Sequence, residues 1–489
     1  MRIQKSTQAL RKQRLSFDEN LQTSPNSLFT NSRVILALAV VTGITLRFYR
    51  LEIVSMTADE GATWAAAAAP VESLLRLQPQ LDAGKLAVYD LLLHFWMNLF
   101  GDGLLAMRSF SVAADTASIL LMYVVVREIS LVLGGWELTR AQLAGAFAAF
   151  LFATNVEFVQ SARTARMYPL MTAAALAQIF FFVRVQHEGR ILNCVLTAIF
   201  LALAISVNFT AAWLLVSEGI WLTYLMAARW RSWPGVQLRV ARPASALAAG
   251  IALLLPFAHA ALTVSRAAVA QGALDWISYQ APLGWSYNVL RNDAGNRLLF
   301  RFLFALAFFS FWRNRRQARL VPAFLALLTV GPFMTVATLS LYGMPMMVHR
   351  YVLLAIIGFL GLAATGAVAF QSTLGRRLVF VAIVWLSVRA LRHLSPFWVD
   401  WKKAVTVASA GSSSTTRIVV VPGYAVNAVR YYLSPERRAL AVGVDRQCGD
   451  ARILIVSPGH PVSATYMSEL KACYPLLLGR ATRVEIRAR

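Results

Sequence analysis

The feature that most constrains this chain is a succession of apolar runs, each about twenty residues long, separated by short basic stretches. In lipid, backbone N–H and C=O groups must be satisfied within the segment, so a run of this length crosses a membrane as a helix. Spans are expected over 33–54, 104–126, 141–160, 168–186, 190–208, 210–228, 244–264, 298–312, 320–342, 351–371 and 377–394; the run 86–100 is too short. A 489-residue chain that is 58% hydrophobic and 14% charged is too apolar for a soluble globule. The expected fold class is an all-α polytopic membrane protein, with about 11 to 13 transmembrane helices and a small C-terminal α/β domain.

The net charge of +24 would suit nucleic acid if it were gathered on one domain. Instead Lys and Arg cluster between apolar runs, as in loops facing the cytoplasm, and no nucleic-acid partner is expected. Placing every basic loop on that side makes 86–126 cross once. The segment 86–100 then reads as a re-entrant or surface-lying helix, with about eleven crossings in all. Residues 1–32 read as a basic cytoplasmic tail before an uncleaved first span. Residues 33–394 are expected to form the transmembrane core, with an external loop over 55–100, and 395–489 the α/β domain outside the cytoplasm. Strands are expected at 417–421 and 452–456, around a helix over 425–433. Cys194, Cys448 and Cys473 have no metal-binding spacing; a bridge between Cys448 and Cys473 is compatible with an extracytoplasmic domain.

The same siding gathers four segments on the non-cytoplasmic face: the loop 55–100, the turn 161–168, the loop 265–297 and the turn 343–351. The candidates singled out there are Asp59, Glu60, Lys85, Asp90, His94, Arg163, Arg166, Asp275, His349 and Arg350. A charge at the bilayer is costly and usually has a partner or a task. Of two adjacent carboxylates, one can serve as a general base while the other orients it, holds a metal or binds a sugar hydroxyl. The plainer readings are a solvated acidic loop, arginines that snorkel to headgroups, and, for His94, a half-buried helix residue bonded to a neighbour.

Four stretches in order, the Asp59–Glu60 pair, KLAVYDLLLHFWMNLFGDGLLAMRSFSV at 85–112, QSARTARMYPL at 160–170 and HRYVLL at 349–354, carry a resemblance. Together they resemble the polyprenyl-phosphate-sugar-dependent membrane glycosyltransferases of the C-type fold, the superfamily of the protein mannosyltransferases and lipid A aminoarabinose transferases. DWKKAVTVA at 400–408 and PGYAVNAVRYYL at 422–433 extend it into the C-terminal domain.

The resemblance implies a bacterial inner-membrane enzyme with a cytoplasmic N-terminus. It would move a sugar, with inversion, from a polyprenyl-phosphate donor to an acceptor hydroxyl on the extracytoplasmic face, the acceptor being glycan, lipid or protein. Asp59 then matches the base, and Glu60 would orient or hold the acceptor. Arg166 and Arg350, with Tyr168 and Tyr351, would bind the donor phosphate, and Lys85 and Arg163 are further candidates. Asp90 and His94 are secondary candidates, and Asp275 with Trp276 could shape a sugar site. No cofactor is demanded, and a divalent cation is the one candidate. The sequence departs from the family pattern at Thr164, where an acid is common before the second arginine, and at Ala87 and Asp90. A transporter, flippase or scaffold for lipid-linked glycans is the alternative.

Overall fold

The computed structural model describes residues 31–229, 236–270, 277, 280–314, 319–392, 399–410, 412–443, 453–456, 468–469, 472–481 and 484–488. Asp275, Trp276 and Cys448 lie outside them. Cys473 is disulfide-bonded and Cys194 is free.

Each apolar run becomes a helix. By length and composition, five helices can cross a membrane, or up to eight if each of three bent pairs counts as one span. Ser32–Phe48, Ile191–Val207 and Thr373–Leu391 coincide with the remaining expected spans. The chain is a multi-pass membrane protein. Inside the bundle, Arg47 and Asp115 form an ion pair with both side chains fully buried, and the Arg47 guanidinium also donates to the Gly43 and Ala153 carbonyls. Charges at such depth persist because they are paired.

The short segment folds as Val88–Phe100, whose 13 residues rise only about 20 Å. Two more short helices, Ala58–Ala67 and Val71–Leu81, precede it in the first loop.

The 265–297 stretch, expected as a loop, contains the helix Pro282–Asp293. Its polar Asn288, Arg291 and Asn292 keep it off an apolar-run ruler, although Pro282 at its first turn favours a helix start. This helix meets Arg297–Asn314 at 109°. The bend uses Gly295, whose φ is +71° and whose Cβ, if present, would stand 2.4 Å from Val156 Cγ2. Only glycine supplies that conformation in that space.

The C-terminal domain is a five-stranded sheet in the order β2-β1-β3-β5-β4. Ile418–Val421 (β1) pairs in parallel with Ala441–Gly443 (β2) and Ile453–Val456 (β3), while Leu476–Ala481 (β4) and Val484–Ala488 (β5) form an antiparallel hairpin at the edge. Parallel β1 and β3 are apolar runs, as strands covered on both faces must be. The hairpin was not expected, because Arg480, Glu485 and Arg487 interrupt its apolar pattern.

The domain docks on the first loop through its helix Val426–Tyr432, which lies against Ala58–Ala67. At the crossing, a Cβ on Gly61 would come within 2.4 Å of the Ala428 backbone nitrogen. Trp64 and Tyr431 pack edge to face at 5.3 Å. Tyr432 Oη accepts from the Met56 backbone N–H at 2.7 Å.

Candidate active site

The site begins with how the helix Ala58–Ala67 starts. Thr57 caps it: its hydroxyl accepts from the Glu60 N–H, and the Glu60 carboxylate accepts from the Thr57 N–H at 2.9 Å. A capping box of this kind satisfies two otherwise orphaned donors and fixes the first turn.

Glu60, expected to orient or hold the acceptor, is fully buried instead. Arg108 grips it with two bonds, Nε to Oε1 at 2.8 Å and Nη2 to Oε2 at 2.9 Å. The Ala165 backbone N–H donates to Oε1 at 2.8 Å. The rest of the Arg108 guanidinium donates to the Leu51, Val54 and Ser55 carbonyls. Glu60 therefore ties the first loop, the long helix Leu104–Val132 and the 163–167 turn into one piece.

The preceding residue faces the other way. The Asp59 side chain is 46% exposed, with Oδ2 3.3 Å from Arg350 Nη1 and 4.0 Å from Arg166 Nη2. Arg166 is the hub, donating through Nη1 to the Asp59 carbonyl and Thr63 Oγ1, each at 3.1 Å, and through Nη2 to Asp82 Oδ2 at 3.0 Å. Its buried Nε–H has no partner among the described residues. Burial alone would lower the guanidinium pKa, but Asp59 and Asp82 outweigh it and hold it above the ordinary value. Burial would likewise raise the Asp82 carboxyl, but Arg166 and then Lys85 outweigh it and hold it below its usual range. Tyr168 stands within reach of both guanidinium charges, and the Tyr351 ring lies 6.0 Å from Arg350 Cζ.

The structure thus brings Asp59, Arg166, Tyr168, Arg350 and Tyr351 together. Lys85 is buried beside them but paired with Asp90, its Nζ donating to Oδ1 at 2.9 Å and standing 2.7 Å from Oδ2. Burial pushes the Asp90 carboxyl above its ordinary value although Lys85 opposes it. Arg163 turns away to the Tyr49 carbonyl at 3.1 Å. His94 bonds the Ala67 carbonyl and Asn98, as a helix residue joined to its neighbours.

Sequence reasoning missed Asp82 and Arg108. Asp82 accepts from Arg166, while the Thr164 hydroxyl donates to the Ser161 carbonyl. Arg108 carried a signal: a cation in the second turn of an apolar span opposes the helix dipole and implies a partner.

Among the described residues, no three His, Cys, Asp or Glu side chains converge as a ligand set. Asp59 and Asp82 close on the Arg166 guanidinium, which takes the position a divalent ion would need between them.

No family model matches the sequence, and no curated protein matches it. Solved structures do. ArnT from Cupriavidus metallidurans in the apo state is 12% identical, with a TM-score of 0.60 over 92% of this chain and 97% of that one. The same protein bound to undecaprenyl phosphate is 13% identical, with a TM-score of 0.58 over the same shares. The oligosaccharyltransferase AglB from Archaeoglobus fulgidus, in complex with an inhibitory peptide and a dolichol-phosphate, is 10% identical, with a TM-score of 0.53 over 87% of this chain and 69% of that one. The chain has the C-type glycosyltransferase fold.

Proposed function

We propose that this protein is a membrane glycosyltransferase that moves a sugar from a polyprenyl-phosphate donor to an acceptor hydroxyl, with inversion, on the extracytoplasmic face of a bacterial inner membrane. The observation that carries the reading is the Asp59 carboxylate, 46% exposed and within 3.3 Å of one guanidinium and 4.0 Å of a second. An accessible base beside two cations suits a reaction that removes a proton at one oxygen and expels a phosphate at another.

In that reaction the acceptor O–H gives its proton to Asp59 and its oxygen bonds to the anomeric carbon. The bond from that carbon to the phosphate oxygen breaks, and polyprenyl phosphate leaves with the electron pair. Arg166 and Arg350 take up the charge that develops on the phosphate, as planar donors that stay charged. Protonation of Asp59 also removes its hold on Arg350, so that guanidinium is freed for the phosphate as the charge appears. Tyr168 and Tyr351 supply hydroxyls to the same oxygens. The placement of the N-terminus in the cytoplasm and of the C-terminal domain outside it belongs to this proposal.

The test compares polyprenyl lipids in the parent, a deletion strain and an Asp59→Asn complement by mass spectrometry. A polyprenyl-phosphate hexose or pentose is expected to accumulate in both mutants. Accumulation in the deletion alone would overturn the assignment of Asp59 and favour transport or scaffolding.

A further inference from the structure

A second polar cavity, of about 820 Å³, adjoins the Asp59 site without sharing its acids. Its walls come from Val156–Ala162, Pro282–Asp293 and the segment before Arg350, and its volume falls within the range of small-ligand sites. The two sites share a boundary: His349 lines the cavity and bonds Glu157 at 3.1 Å, while the next residue, Arg350, bonds Asp59. Gln160, on the same helix as Glu157, also lines the cavity, and the chain runs on from it to Arg166. The Asn155 side chain joins the walls by donating to the Asp293 carbonyl at 3.1 Å.

The lining chemistry is selective. Asp293 is 4% exposed, and its Oδ2 has no partner among the described residues. An apolar ligand would strand that oxygen, leaving a buried polar atom without a partner. Glu157 and Asp293 share the lining with Arg291, Arg297 and His349, so its charge is mixed rather than of one sign. Gln160, Asn288 and Asn292 each present an amide that both donates and accepts, which suits the paired hydroxyls of a sugar.

We propose that this cavity binds a saccharide of the acceptor and delivers one of its hydroxyls to Asp59 past the His349–Arg350 step. The delivery rests on the transfer reading above, whereas the binding stands by itself.

The test uses the full chain in nanodiscs and native mass spectrometry. The probes are undecaprenyl phosphate and a set of neutral oligosaccharides made by partial hydrolysis of the source organism's envelope polysaccharide. Wild-type protein is expected to bind an oligosaccharide and undecaprenyl phosphate at once. Asn288→Leu with Asn292→Leu, both at exposed positions, is expected to weaken oligosaccharide binding about tenfold or more and to change undecaprenyl phosphate binding less than about twofold. Asp293→Asn is expected to weaken the saccharide alone. Failure of the wild-type protein to bind any oligosaccharide, displacement of the oligosaccharide by undecaprenyl phosphate, or an unchanged affinity in the Asn variants would each overturn the proposal. Saccharide binding that persists in Asp59→Asn without any transfer by wild-type protein would sink the transfer reading and leave the cavity assignment standing.

Discussion

Asp59 and Glu60 are neighbours in sequence, in one capped helical turn, and the structure gives them opposite environments. Glu60 is buried and takes four hydrogen bonds, from Thr57, Ala165 and both arms of Arg108. Asp59 is about half exposed and meets only cations that it shares with other groups. Consecutive side chains on a helix diverge by about 100°, so a single turn can hold one carboxylate in the protein and present the next to a cleft. The inner acid is saturated and supports the loop; the outer one is left with capacity to react.

The largest effect that would test this contrast is Glu60→Ala. It leaves Arg108 charged, buried and without its carboxylate, a loss of about 3–5 kcal/mol. A sharply lower yield of folded protein and a lower melting temperature are expected. Asp59→Asn is expected to melt as the parent does yet lose about 10²- to 10⁴-fold in turnover. Equal destabilisation by the two substitutions would remove the distinction.

Gly61→Ala probes the same turn from outside. Its Cβ would meet the Ala428 backbone, so the C-terminal domain must shift, and overpacking of this kind costs about 1–3 kcal/mol. Limited proteolysis is expected to release the C-terminal domain more readily, with activity reduced. Tyr432→Phe removes the oxygen that accepts from the Met56 N–H and from Ser55 Oγ, and a loss of about 1 kcal/mol is expected in thermal melts.

The smallest effect concerns Asp82. Its pKa lies below the ordinary aspartate value of 3.8, so its contribution to stability is complete above that value and is lost as pH falls through the lowered one. Melting temperatures followed from about pH 5 downward should fall, and Asp82→Asn should fall less steeply. Parallel slopes would mean that Arg166 gains nothing from Asp82.

The helices of the core were legible because an apolar run must satisfy its backbone internally, whatever its neighbours do. Pro282–Asp293 was not, since an amphipathic helix at a surface carries no such run. Asp59, Arg166 and Arg350 were legible as charges that a membrane surface does not explain. Their pairings were not: Asp82 lies 23 positions from Asp59, at the end of a short polar helix, and nothing in the chain around it points to Arg166.

By itself, the sequence determined that this chain crosses a membrane many times and that short basic stretches separate its apolar runs. Those are local properties of hydropathy and backbone hydrogen bonding. Only the tertiary structure decided which of the two acids faces the cleft, that Arg166 meets Asp82, that Lys85 is held by Asp90, and that Gly61 seats the C-terminal domain against the turn that carries Asp59. Each depends on contacts between distant segments, and a charge has no fixed partner until packing sets its distances.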